Sequence, residues 1–110
     1  MANIIPTAFK TELLSGTHNF ANGGNSFKIA LYTSNPYSAS STTYSTSNEV
    51  SSSGTSYAAG GQVLDSQAVA ATSTTGHVDF ADETFASVTL TAAFAAIYND
   101  TNSDKLCLVL

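Results

Sequence analysis

Ionic side chains are what this 110-residue chain has least of: only 10% of residues are Asp, Glu, Lys or Arg, against about 25% in an ordinary globular domain. The basic set is Lys10, Lys28 and Lys105, with no arginine, and the net charge is −5. Nucleic-acid binding needs several cations to displace counterions from phosphates, and three scattered lysines do not supply them. A polybasic membrane surface is excluded for the same reason. Cys107 is the single cysteine, so no internal disulfide framework exists. It sits in the apolar run Leu106–Leu110, which predicts a packed, inert thiol. Tryptophan is absent and there are two prolines. No apolar run approaches the roughly 18 residues that would span a bilayer. The opening Met1–Pro6 lacks the basic start and apolar stretch of a secretory signal, so synthesis without export is expected.

What is abundant is small and neutral. From Ser38 to Ser56 the chain is almost pure Ser and Thr, interrupted chiefly by Tyr44, Asn48, Glu49, Val50 and Gly54. Two readings compete for 38–56: an extended arm that orders along a partner's surface, or a flexible loop. A weakly charged, hydroxyl-rich β chain leaves its edges poorly protected, which points to cover by neighbours in an assembly.

Residues 1–110 make one domain with one modest core. Pro6–Leu14 reads as a short amphipathic helix, with Phe9 and Leu13 on one face, Ile5 a turn back, and Gly16 as its stop. With its following turn it occupies 1–20. Such a short helix must pack on its own sheet or on a neighbour. His18–Asn25 is turn-forming, with Gly23-Gly24 the strongest breaker. Phe27–Tyr32 alternates cleanly, Phe27, Ile29 and Leu31 opposing Lys28 and Tyr32. Further strands are expected over Gln62–Ala70, Gly76–Phe80 (Val78 and Phe80 inward), Glu83–Leu90, Ala92–Tyr98 and Lys105–Leu110. The fold class is therefore all-β, a β-sandwich or jelly roll of about six or seven strands with one N-terminal helix.

Candidate sites are thin. Asp100, Asn102 and Asp104 alternate as at the start of an EF-hand loop, but Lys105 stands where Gly is needed and no bidentate Glu follows, so a turn is the better account. His77, Asp79, Asp82 and Glu83 suggest a metal or acid–base cluster, with solvated surface residues the preferred reading. His18 beside Asn19 lacks any Gly-x-Ser-x-Gly elbow, and a loop histidine bonded to nearby backbone is expected. The Asn99-Asp100-Thr101 sequon carries no weight without a signal peptide. The tyrosines (Tyr32, Tyr37, Tyr44, Tyr57, Tyr98) suit a sugar-binding face or a protein contact, the second preferred in the absence of Trp. No catalytic residue, cofactor or metal ligand is assigned, and the expected function is non-enzymatic.

As a set, several motifs resemble a family of small virion proteins of tailed bacteriophages. They are Ile4–Lys10, Leu13–Gly16, His18-Asn19-Phe20, Phe27–Ser34, Ser47–Val50, Tyr57–Gly61, Asp79–Asp82 and Ile97–Asp100. The likeness covers nearly the whole chain and is similar in size and β content to capsid decoration, or cement, proteins. It implies a virion location, on the capsid rather than the tail. The implied partners are the major capsid protein and other copies of the chain. Tail, neck or fibre components are the alternative, and a carbohydrate-binding receptor module is a third reading. The residues expected to reach a partner are Phe9, Leu13 and Phe20 near the helix, and Tyr37, Tyr44 and Val50 in the arm. Relatives of this pattern continue past the last strand, so a closing edge supplied by further strands or by a neighbour is expected.

Overall fold

A computed structural model describes residues 3–53, 57–82, 85 and 90–110. Among them are one helix, α1 (Thr7–Leu14), and six strands: β1 (Phe27–Tyr32), β2 (Gln62–Leu64), β3 (Ala68–Thr72), β4 (Thr75–Asp79), β5 (Phe94–Asn99) and β6 (Lys105–Val109). They form two antiparallel sheets, a four-stranded one in the order β2-β1-β5-β6 and the two-stranded β3-β4. The strand expected over Glu83–Leu90 lies almost entirely outside the described residues.

The β1 pattern holds as read from its period of two, and it runs in register with β5 from Phe27↔Asn99 to Tyr32↔Phe94. β5 is central, and its run from Ala96 to Asn99 is buried, as a strand covered on both faces must be. Alternation in β1 and β5, with a register shift in β6 that skips Cys107 between the partners of Ile97 and Tyr98, divides the core in two. Ala30, Tyr32, Ala96, Tyr98, Leu106 and Val109 face one side, and Phe27, Ile97 and Cys107 face the other.

The first face is closed by the Ser/Thr-rich segment, and this corrects both readings of it: the described residues 38–53 strap the chain's own sheet. At one end Thr42 O accepts from the Leu106 N–H at 3.0 Å, and Tyr44 N–H donates to Asp104 O at 2.8 Å, along the β6 edge. At the other end Val50 N–H donates to Leu31 O and Thr33 N–H to Asn48 O, both at 2.9 Å, along β1 beyond the reach of β2. Tyr37 and Val50 are buried beneath the strap, and Tyr44 stacks on Tyr98 with ring centroids 4.5 Å apart. Ile4 adds an isolated bridge to Val109. Edge groups that other sheets protect with charge are here paired by neutral backbone of the same chain.

The tyrosine hydroxyls complete the closure. Tyr32 and Tyr37 bond each other and Ser45 O. Glu49, half-buried on the strap, accepts from the hydroxyls of Tyr44 and Tyr57 and from the Gly60 N–H, while Tyr98 donates to Gly60 O at 2.6 Å. Tyr32, Tyr37, Tyr57 and Tyr98 are all buried. Neither the sugar-binding face nor the tyrosine partner contact expected from sequence is formed by these four rings.

On the second face α1 packs against β6. Its first N–H, on Thr7, donates to Ala39 O of the strap at 3.0 Å, and Gly16 ends it at φ +75° while Thr17 N–H returns to Glu12 O. Gln62–Ala70 is two strands, not one. Ser66 turns the chain at φ +53°, and the Gln67 amide holds the corner by donating to Ala21 O and Asn25 O. β3 and β4 then leave the sheet as a hairpin in which every residue is exposed. Val78, expected inward, is 36 % exposed and Val69, its cross-strand partner, 60 %.

Candidate functional site: an apolar groove beside the hairpin

Between α1 and the β3–β4 hairpin lies an open groove of about 750 Å³. Phe9 and Leu13 of α1 form one wall, Phe20 the head, Ile97 and Leu108 of the sheet the floor, and Val69, Val78 and Phe80 the opposite wall. Phe20 is fixed by stacking on Phe27, with centroids 4.2 Å apart and planes 8° from parallel. Phe9 and Phe80 meet it edge-on at 6.1 and 6.4 Å.

A buried polar knot underlies the groove. Asn99 Oδ1 accepts the backbone N–H groups of Thr101 and Asn102 at 3.1 and 3.2 Å, which fixes the amide so that Nδ2 faces His18 Nδ1 at 3.0 Å. His18 Nδ1 is thereby the acceptor, and its Nε2–H donates to Glu12 Oε1 at 2.9 Å. Lys105 Nζ lies 3.4 Å from the other oxygen of Glu12. Asn25 Oδ1 takes Asn19 N–H, Asn99 Nδ2 and Asn102 Nδ2, and Asn102 Nδ2 also donates to Thr17 O at 2.6 Å. Helix, loop and sheet are locked to one another at this point. His18 bonds side chains of α1 and β5, not nearby backbone as expected. Replacing Asn99 by Ala strips partners from His18, Asn25 and two backbone donors, and is expected to cost about 2–4 kcal/mol in urea unfolding. Leu14→Ala, at a side chain 90 % exposed, should stay within about 0.5 kcal/mol.

Cys107 Sγ lies 3.9 Å from His18 Nδ1. The thiol is fully buried, and burial, reinforced by the Glu12 charge, pushes it up to about 12. With Nδ1 already accepting from Asn99, this is the packed, inert thiol expected from sequence. The Asp100–Asp104 alternation is a turn at the β5–β6 connection, and burial together with the bond to Asp100 holds the Asp104 carboxyl above its ordinary value. His77 and Asp79 are exposed on β4. Among the described residues no three His, Cys, Asp or Glu gather to hold a metal ion, and no helix is long and apolar enough to cross a membrane. Asn99 of the sequon is fully buried.

Of the six residues expected to reach a partner, the structure brings Phe9, Leu13 and Phe20 together on the groove. Tyr37 and Val50 lie in the chain's own core and Tyr44 is half-buried against Tyr98, so the arm's apolar pegs hold the strap down. Val69, Ile97 and Leu108 were not anticipated as groove residues. The signal for Val69 was present in β3, whose sequence Ala-Val-Ala-Ala-Thr has neither a charge nor a proline to guard an exposed strand. Comparison with protein-family models, with curated proteins and with solved structures finds no match to this chain.

Proposed function

We propose that this chain is a non-enzymatic structural protein of a phage particle, a capsid cement protein that clamps neighbouring capsid subunits. The carrying observation is the hairpin: ten consecutive-strand residues, β3 and β4, all exposed, bearing Val69 and Val78 beside an open apolar groove. A surface of this kind on a chain so poor in charge suits burial against a partner. The motifs from Ile4 to Asp100 that resemble tailed-phage virion proteins supply the particle, and the sparse cations argue against direct contact with its nucleic acid. A sandwich or jelly-roll arrangement belongs to the same reading, with β3–β4 as the start of a second layer.

In mechanism, the helix-side groove and hairpin engage adjacent capsid subunits while the strapped sheet serves as the rigid body. Binding the assembled lattice and not its separated subunits stabilises the shell by mass action, and repetition over many sites multiplies the effect. The test is cryo-EM of the intact particle, joined to binding of purified chain to shells that lack it. Copies spread over the head are expected. Leu13→Asp with Val69→Asp, both at exposed positions, should weaken shell binding, each lost anchor costing about 1–2 kcal/mol. Copies confined to the tail or neck, or undiminished binding by the double variant, would overturn the cement reading. Glycan binding without shell binding would instead support the receptor module.

A further inference from the structure

Asn22 and Gly23 are the middle residues of a tight turn closed by the Gly24 N–H donating to Ala21 O at 2.8 Å. Both are exposed. Gly23 sits at φ +85°, and nothing lies within 4 Å of the place a Cβ would occupy. Among the described residues neither the Asn22 amide nor the Gly23 N–H has a hydrogen-bond partner. Of the eight asparagines in the chain, Asn22 alone precedes glycine.

We propose that Asn22–Gly23 is a site of spontaneous deamidation on the loop that forms the head of the groove. The Gly23 amide nitrogen, giving its proton to hydroxide or a buffer base, attacks Asn22 Cγ. The new N–Cγ bond closes a five-membered succinimide, the Cγ–Nδ2 bond breaks, and ammonia leaves with the proton returned. Water then opens the ring at either carbonyl, giving aspartate or isoaspartate. The sum is asparagine plus water to acid plus ammonia, with no change of oxidation state. Glycine matters because no Cβ shields the attacking nitrogen or restricts the backbone rotation that the ring requires.

The other candidates are held against the same reaction. Asn25 and Asn102 precede serine, but Asn25 Oδ1 takes three donors and Asn102 Nδ2 is bound to Thr17 O. Asn35 precedes Pro36, which has no N–H to attack, and Asn99 is fully buried. At Asn22 the product adds a negative charge, and the isoaspartyl form adds a methylene to the backbone. Ala21 O accepts from Gln67, and Phe20 stacks on Phe27 immediately upstream. The groove head is therefore on a slow, one-way clock, whatever its occupant.

The experiment is incubation of the folded full chain at mildly alkaline pH, with peptide mapping by mass spectrometry and fragmentation that separates aspartate from isoaspartate. The Asn22 peptide is expected to convert first, to both products, while the Asn25 and Asn102 peptides keep their amides. Asn22→Gln should abolish that conversion, because the longer side chain closes a less favourable ring. An Asn22 peptide that stays intact in the folded chain but converts after denaturation would overturn the proposal. Equal conversion at Asn25 or Asn102 would overturn it too.

Discussion

Raising the pH past about 10 is expected to unfold the chain in one cooperative step. Tyr32, Tyr37, Tyr57 and Tyr98 are 0 %, 8 %, 2 % and 2 % exposed, and burial is the leading cause that holds each phenol above its ordinary value. The Glu49 carboxylate adds to this for Tyr57, which donates to it. Below about pH 10 both folded and unfolded chains keep these protons, and the full stability is present. Above it the unfolded chain releases protons that the folded chain retains, so stability falls by about 1.4 kcal/mol per pH unit for each withheld phenol. Of the four, Tyr32, Tyr57 and Tyr98 are held furthest above the ordinary value and together give roughly 4 kcal/mol per pH unit, approaching the whole stability of a small domain. Tyr44, whose hydroxyl also sits on Glu49, is half-buried and is left out of that sum. Tyrosinate absorbance and far-UV circular dichroism should therefore change together. Phenols titrating one after another with the dichroism intact would show that the strap does not seal them.

The strap also marks where the sequence could be read and where it could not. β1, β5 and β6 each declare themselves by alternation or by an apolar run between turn formers, and α1 by Pro6, Phe9 and Gly16. Those are local signals, and local periods are set by the backbone's own geometry. The strap has no period because it crosses a sheet face and touches it at Tyr37, Tyr44 and Val50, whose spacing answers to the strands beneath. Several of its hydroxyls serve turns inside it, as Ser41 Oγ does for Ser38 N–H. The break in Gln62–Ala70 was hidden because Ser66 takes the left-handed backbone without being Gly or Asn. The corner is stabilised by Gln67 reaching a loop more than forty positions upstream. The polar knot was illegible for a related reason. Asn99 holds the turn that follows β5 through its Oδ1, but its Nδ2 meets His18 across 81 positions of sequence. The groove follows the same rule: Phe9, Leu13 and Phe20 were visible from their own segment, whereas the floor and far wall come from β3, β4, β5 and β6.

Gly61→Ala is expected to be the most damaging methyl addition among the described glycines. Gly61 carries the backbone into β2 at φ +81°, and its N–H donates to Ala58 O at 2.9 Å. A Cβ there would lie 1.8 Å from Ile29 O, 2.6 Å from Ile29 C and 2.8 Å from Ala30 Cα. All three are backbone atoms of β1, which is pinned on its other side by β5. No side chain can swing away to make room. Left-handed backbone costs a residue with a Cβ about 1–2 kcal/mol, and forcing atoms into packed space about 1–3 kcal/mol more. A total of roughly 4–5 kcal/mol, the upper end, fits so close an approach to main chain. Two other glycines separate the contributions. Gly16 has φ +75° with nothing within 4 Å, so Gly16→Ala should cost only the backbone term, about 1 kcal/mol. Gly76, in β4, has open space and an ordinary backbone, so Gly76→Ala should be neutral within about 0.5 kcal/mol. Urea midpoints with unchanged m-values would establish the order 61, 16, 76. If Gly61→Ala proved no worse than Gly16→Ala, the close passage of the Gly61 backbone over β1 would be refuted, and with it the placement of β2 at that edge.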